Sequence, residues 1–180
     1  YLGLEESGNL PREAHHYELI DNPDDEFIEG NHVFCSMSSA GEAHDRTPSG
    51  EGRTVTCSTH VPLNRLMKAA PAQRAGYIEE IQQRMRRTIE RRAPELREAT
   101  IMEMTASPRT FQRFTNRPSG FVGGIPRTAG LHNYLDLFPS PHTPVMPGLY
   151  MVGDSVFPGQ STLACALGGV STARAIERAA

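Results

Sequence analysis

Hydrophobic positions along the chain repeat with two different periods. Val33 to Ser38 (VFCSMS) and Arg53 to Thr59 (RTVTCST) carry β-branched or alternating residues, and each predicts a strand. In the second run Val55 and Cys57 share one face while Thr54, Thr56 and Ser58 share the other. One face is therefore expected to be buried and the other polar. The run between them, AGEAHDRTPSGEG, is polar and contains Gly and Pro, which predicts antiparallel neighbours joined by a long exposed loop. Thr100 to Thr105 (TIMEMT) alternates Ile101 and Glu103 against Met102 and Met104 and predicts a third strand, with the methionines as core filler.

From Pro71 to Arg92 the period lengthens. Ile78, Ile81, Met85 and Ile89 recur at steps of three and four, which predicts one apolar stripe on a helix. Pro71 suits a first helical position. Glu79 and Glu80 lie toward its N-terminal half and Arg84, Arg86, Arg87, Arg91 and Arg92 fill the C-terminal half, as the helix dipole favours. Pro94 is expected to stop it. The arginines read as a solvated face paired with the helix's own glutamates over a sheet; the alternative is a basic amphipathic helix lying at a lipid surface. Residues 1–30, rich in Glu, Asp, Asn and Pro, predict a short helix or loop around Leu10 to Leu19 and a turn at Asp21 to Asp25.

Toward the end of the chain, Pro147 and Gly148 mark a turn into Leu149 to Val152, an apolar run that predicts a buried strand ending at Gly153 and Asp154. A loop with Pro158 and Gly159 follows, then an Ala-rich helix carrying Leu163, Leu167, Val170, Ala173 and Ile176. A strand that delivers one carboxylate, then a glycine-containing loop and a helix N-terminus, is the geometry in which α/β sheets bind nucleotides.

Composition narrows the partners. At 180 residues the chain makes one domain or parts of two, and 38% hydrophobic with 22% charged residues fits a globular class. A net charge of -3 provides no basic field, so nucleic acid is not expected as a partner. Cys35, Cys57 and Cys165 are odd in number and lack CxxC spacing, which predicts reduced, buried thiols in a reducing compartment. With no run of about 18 apolar residues and no charged leader before an apolar core, neither a membrane span nor a signal peptide is expected, and the expected address is cytoplasmic. The opening without Met reads as a fragment or a truncated product.

Several clusters invite chemistry and do not sustain it. His15 and His16 are adjacent, point different ways and lack further ligands at workable spacing, so no metal site is expected. Glu42, His44 and Asp45 lie in a loop of solvated composition, and Gly50 with Gly52 lacks the third glycine and opening helix of a dinucleotide fingerprint. His132, Asp136 and His142 are acids or bases by residue type only. The run SPRTFQRFTNRPSGFVGGIPR interleaves Arg109, Arg113, Arg117 and Arg127 with Phe111, Phe114 and Phe121. Single-stranded nucleic acid binding is one reading; a folded edge with Phe inside and Arg outside is the commoner one.

GLYMVGDSVFPGQ followed by LGGVSTARAIERA, together with PRTFQRFT followed by GGIPR, resembles the C-terminal part of FAD-dependent carotenoid desaturases and isomerases, the phytoene desaturase and carotenoid isomerase group. The resemblance implies an α+β chain, a fragment of an α/β flavoprotein. Residues 1–125 would carry an antiparallel substrate-domain sheet with a packed helix, and residues 126–180 a strand and helix of a Rossmann-like FAD-binding domain. It implies FAD as cofactor, with Asp154 accepting from the ribityl chain and the following helix aiming its N-terminus at flavin and pyrophosphate. Gly153, Ser155, Phe157, Gly159, Gln160, Ser161 and Thr162 would add mostly backbone contacts, and Gly123 and Gly124 would let backbone approach a flat ring. The substrate would be a long apolar polyene taken from a lipid phase, with peripheral membrane contact, and the reaction FAD-dependent desaturation or cis–trans isomerisation.

The family's GxGxxG turn and the acidic residue about twenty positions later occur nowhere in these residues. A partner half of the FAD site is therefore expected outside them, and the chain alone is expected to hold FAD weakly or not at all. The alternative is a non-catalytic binding module or a remnant. Gly153, Asp154, Ser155 and Val156 also spell the start of a GDSL-type esterase block with Ser155 as nucleophile. Such enzymes place that block early and their His late, whereas His142, the last histidine here, precedes it. Asp154 is thus expected to bind, and no residue is assigned to catalysis.

Overall fold

The computed structural model describes residues 1–5, 9–40, 42, 52–122, 146–156 and 159–179, which divide into two compact units, Tyr1–Phe121 and Val122–Ala180. The first unit is α+β and is built on a five-stranded antiparallel sheet. Its strands are β1 (Leu2–Glu5), β2 (His15–Ile20), β3 (His32–Met37), β4 (Gly52–Ser58) and β5 (Thr100–Glu103), in the order β2-β3-β4-β1-β5. Helices α1 (Leu63–Lys68), α2 (Arg74–Arg92) and α3 (Pro94–Glu98) separate β4 from β5.

The two-residue period of β3 and β4 does what alternation dictates. Val33, Cys35, Met37 and Val55 point into one core with Leu2, Leu4, Leu10, Leu19, Ile89, Ala93 and Leu96. Thr56 and Ser58 lie exposed on the opposite face. Ile81 and Ile89 of α2 are buried and Met85 packs against the same core, so the stripe spaced by three and four covers the sheet. Because that stripe is spent on the sheet, α2 has no apolar face left for insertion into lipid.

Several expectations give way. The segment Leu10 to Leu19 is a loop only at its start: His15–Ile20 forms an edge strand whose Tyr17 and Leu19 pair with Cys35 and Val33. Its alternation is masked in sequence by the exposed histidines and Glu18 of an edge. Leu2–Glu5 is a strand paired on both sides, Leu2 opposite Val55 and Glu103. Four residues are too few to show a period. Pro71 lies in a turn closed by the N–H of Gln73 on the carbonyl of Ala70 (2.8 Å), and the helix starts at Arg74. Pro94 stops α2 and opens α3, where its missing N–H costs nothing.

The arginines of α2 are solvated but pair mostly beyond their own helix. Arg84 meets Glu80 at 3.8 Å, whereas Arg86 reaches Glu103 of β5 at 2.6 Å and Arg91 pairs with Asp21. Exposed pairs of this kind are each worth only about 0–1 kcal/mol.

The loop between β2 and β3 is tied down from inside. Asn31 is buried; its amide donates to the carbonyls of Asn22 (2.9 Å) and Glu26 (3.0 Å), and its Oδ1 accepts from the N–H of Asn22 (2.9 Å). Gly30, at φ +86°, lies so close to α2 that an added Cβ would meet the Met85 nitrogen at 2.9 Å. Its carbonyl accepts from the buried Thr88 hydroxyl at 2.6 Å.

After β5 comes α4 (Pro108–Thr115), which has a complete capping box: the Ser107 hydroxyl accepts from the Thr110 N–H, and the Thr110 hydroxyl accepts from the Ser107 N–H. The expected inward phenylalanines are not found. Phe111 and Phe114 of α4 are exposed, the latter 78%, and Arg113 stacks over the Phe114 ring.

In the second unit the described elements are a tight turn at residues 146–149 and the helix α5 (Thr162–Ala179). The expected buried strand Leu149 to Val152 is not formed. Leu149 makes an isolated bridge with Met146, and Leu149, Met151 and Val152 are about half exposed or more. A buried strand of this kind needs neighbours on both sides, and the described residues of this unit supply none.

Candidate functional site

The residues singled out for cofactor contact lie on the turn before α5 and on its first turn. Gly153 and Gly159 have φ of +123° and +103°, conformations an L-residue adopts only under strain. Among the described residues neither has any atom within 4 Å of a built Cβ, which leaves their backbone open to close approach from these residues' side. Asp154 and Ser155 sit in the turn after Gly153, half-buried, with the Ser155 hydroxyl 3.2 Å from Asp154 Oδ1. The turn is closed by the N–H of Val156 on the Gly153 carbonyl at 3.2 Å.

Ser161 caps α5. Its hydroxyl accepts from the N–H of Ala164 (3.1 Å) while its carbonyl takes the first intrahelical bond, from Cys165 (2.9 Å). Thr162 is the first helical residue, and Gln160 before the cap is exposed. The N–H groups of Thr162 and Leu163 precede the helical ladder, at the positive end of an 18-residue helix. Phe157, Gly123 and Gly124 lie outside the described residues.

One carboxylate, two glycines in open positive-φ backbone and a capped helix start form a donor and acceptor set suited to a hydroxyl-bearing, anionic chain such as that between a flavin ring and its pyrophosphate. The fit lies in the chemistry of the groups. The Ser155 hydroxyl donates to the neighbouring Asp154 carboxylate. Among the described residues no cluster of His, Cys, Asp or Glu is arranged to hold a metal ion.

Three features of the first unit escape sequence reading. Arg53 has no exposed surface and spends its guanidinium on the carbonyls of Pro11, Glu13 and Ser38. Tyr77 donates to Glu29, which also meets Arg65 at 3.4 Å; burial and that carboxylate push the phenol up to about 12. Cys35 and Cys57 face each other across β3 and β4 with sulfurs 3.5 Å apart. The two-residue period gives the shared face of Val55 and Cys57, yet nothing local fixes the register that sets Cys57 against Cys35.

Over 84 residues the chain is 37% identical to "Prolycopene isomerase 2, chloroplastic" of an Oncidium hybrid cultivar, a match covering 46% of this chain and 14% of that protein. Over 83 residues it is 36% identical to "Prolycopene isomerase, chloroplastic" of Daucus carota and 39% identical to the protein of that name from Arabidopsis thaliana, in each case 46% of this chain and 13% of the relative. No family model matches the chain. No solved structure matches it either. The resemblance to the carotenoid isomerases of the FAD-dependent desaturase group is thus carried by curated relatives, over a small part of their length. Among the described residues no helix is long and apolar enough to cross a membrane.

Proposed function

We propose that this chain is the C-terminal part of an FAD-dependent isomerase acting on a long apolar polyene of the carotenoid class. The observation that carries the reading is the 36–39% identity over 83–84 residues to proteins named prolycopene isomerase. The antiparallel sheet of the first unit would belong to the substrate-binding domain, and the turn and helix of the second to the far side of the flavin site. FAD, when bound, supplies the redox-active ring.

Asp154 accepts a hydrogen bond from a ribityl hydroxyl, and Gly153 and Gly159 let the chain lie against the backbone. The N-terminus of α5, fixed in direction by the Ser161 cap, offers N–H groups and partial positive charge to the flavin and pyrophosphate. Apolar burial dominates substrate recognition. Contact with a lipid phase, where such a substrate resides, falls to α4, whose exposed Phe111 and Phe114 stand beside Arg109 and Arg113; α2 is excluded because its apolar stripe is buried. All four relatives are named chloroplastic, so the expected cytoplasmic address draws no support from them.

The test is conversion of prolycopene by a FAD-loaded, full-length protein that contains this chain, followed by chromatography and mass measurement. A geometric isomer of unchanged mass is expected. Unchanged substrate, or a product short of two hydrogens, overturns the isomerase reading. In the same protein Asp154→Ala should weaken FAD binding by about 1.5 to 3 kcal/mol, the value of a charged hydrogen bond. Unaltered affinity in a flavin titration removes Asp154 from the site. The 180-residue chain alone should purify without flavin absorbance; stoichiometric FAD in it would show that no second half of the site is required.

A further inference from the structure

Cys35 lies in the middle of β3 with no exposed surface, and Cys57 lies near the end of β4, partly exposed. The register pairs them directly: Phe34 with Ser58, Cys35 with Cys57, Ser36 with Thr56. Both thiols belong to the core-facing set, Cys35 between Val33 and Met37, and Cys57 next to Val55 in the alternation of β4. Their sulfurs stand 3.5 Å apart. A disulfide needs about 2.05 Å, so the gap to close is about 1.5 Å, a distance that side-chain rotation covers when the backbones are already neighbours.

We propose that Cys35 and Cys57 form a reversible cross-strand dithiol–disulfide pair, oxidised by hydrogen peroxide. Cys165 belongs to the second unit, with its sulfur 3.7 Å from the Gly159 carbonyl.

The chemistry is asymmetric. Cys35 donates its S–H to the Cys57 sulfur. That bond lowers the Cys57 thiol below the ordinary cysteine range, and the same bond together with burial raises Cys35. Cys57, the less buried of the two, is therefore the attacking thiolate. Its sulfur attacks one peroxide oxygen; the O–O bond breaks, hydroxide leaves and is protonated to water, and Cys57 becomes a sulfenic acid. The Cys35 sulfur then attacks the Cys57 sulfur. The S–O bond breaks, the departing hydroxide takes up the Cys35 proton, and a second water is released. Two thiols lose two electrons and two protons, and one peroxide becomes two waters. A peroxide is small enough for a partly buried sulfur, which bulkier disulfides do not reach.

Joining β3 to β4 closes the chain between positions 35 and 57 and pins the register of the sheet's central strands. On this proposal the expectation of reduced thiols would be revised for Cys35 and Cys57.

The experiment uses the 180-residue chain. It is treated with hydrogen peroxide, denatured, alkylated with N-ethylmaleimide and digested for mass spectrometry. The peptides carrying Cys35 and Cys57 are expected joined and unalkylated, with Cys165 alkylated, and dithiothreitol should return all three cysteines to the alkylatable form. Cys35 and Cys57 both remaining alkylatable, or Cys57 driven to sulfinic acid with Cys35 still free, overturns the proposal. Cys35→Ser should trap a sulfenic acid at Cys57 that dimedone labels, and Cys57→Ser should leave Cys35 unlabelled. Equal labelling of the two variants contradicts the assigned roles, and the wild-type measurement stands whether or not either variant folds.

Discussion

Replacing Arg53 by methionine removes the cation on which the start of the first unit is assembled. The guanidinium is fully buried: Nε donates to the Ser38 carbonyl at 3.0 Å, Nη2 to Glu13 at 3.0 Å, and Nη1 to Pro11. One side chain on β4 thus holds the loop before β2 and the end of β3 at once. Methionine keeps most of the apolar stem and orphans three carbonyls, each costing about 1–3 kcal/mol if water does not reach it. Against this stands the relief of a buried charge that has no carboxylate partner among the described residues, itself several kcal/mol. The three carbonyls belong to two segments that the sheet holds in place, so they cannot all turn to solvent, and we expect a net loss of about 3 kcal/mol. With a urea slope of about 2 kcal/mol/M, the unfolding midpoint followed by circular dichroism should fall by about 1.5 M. Arg53→Lys should lose roughly half as much, because a compact ammonium reaches fewer of the three acceptors. A midpoint for Arg53→Met within about 0.3 M of wild type, at unchanged slope, refutes the assignment of these carbonyls to Arg53.

Two further perturbations address the packing of the β2 to β3 loop. Gly30→Ala places a Cβ 2.9 Å from the Met85 nitrogen and 3.0 Å from the Ile81 carbonyl in a backbone already at φ +86°. Strain and loss of the Thr88 to Gly30 bond should destabilise the unit by about 3 kcal/mol in the same urea assay, and a loss below about 1 kcal/mol would mean the loop simply moves aside. Tyr77 is held neutral by burial and by Glu29, its phenol raised to about 12. The folded state therefore keeps a proton that the unfolded state releases, so its contribution is complete below about pH 10 and lost as pH rises through about 12. Tyr77→Phe should flatten the fall in stability across that window; an identical fall in wild type and variant contradicts the placement of the phenol on Glu29.

The elements legible in the sequence were those whose own residues carry a period. Alternation in β3, β4 and β5 and the steps of three and four in α2 and α5 report local backbone geometry, and the buried faces of β3, β4 and α2 followed from the same counting. Those of β5 and α5 did not, since Met102 and Met104, expected as core filler, are exposed with Ile101, as are Leu163, Leu167, Val170 and Ile176 of α5. The carboxylate, glycines and helix start of residues 153–162 were legible for a similar reason, since a cap and a turn are chosen within a few neighbouring positions.

Only the tertiary structure decided what depends on pairing across long separations. Leu2–Glu5 is a strand because β4 and β5 flank it, and Leu149 to Val152 is none because its unit's described residues offer it no neighbour. Arg86 and Arg91 pair with Glu103 and Asp21, outside their own helix. Arg53, which sequence placed on a half-polar strand, is buried because three carbonyls from distant segments meet its fork. The apposition of Cys35 and Cys57 belongs to this class as well. Periodicity says which face a side chain takes, whereas register across a loop sets what stands opposite, and a register shift of one residue would turn the same sequence of β4 to the other face.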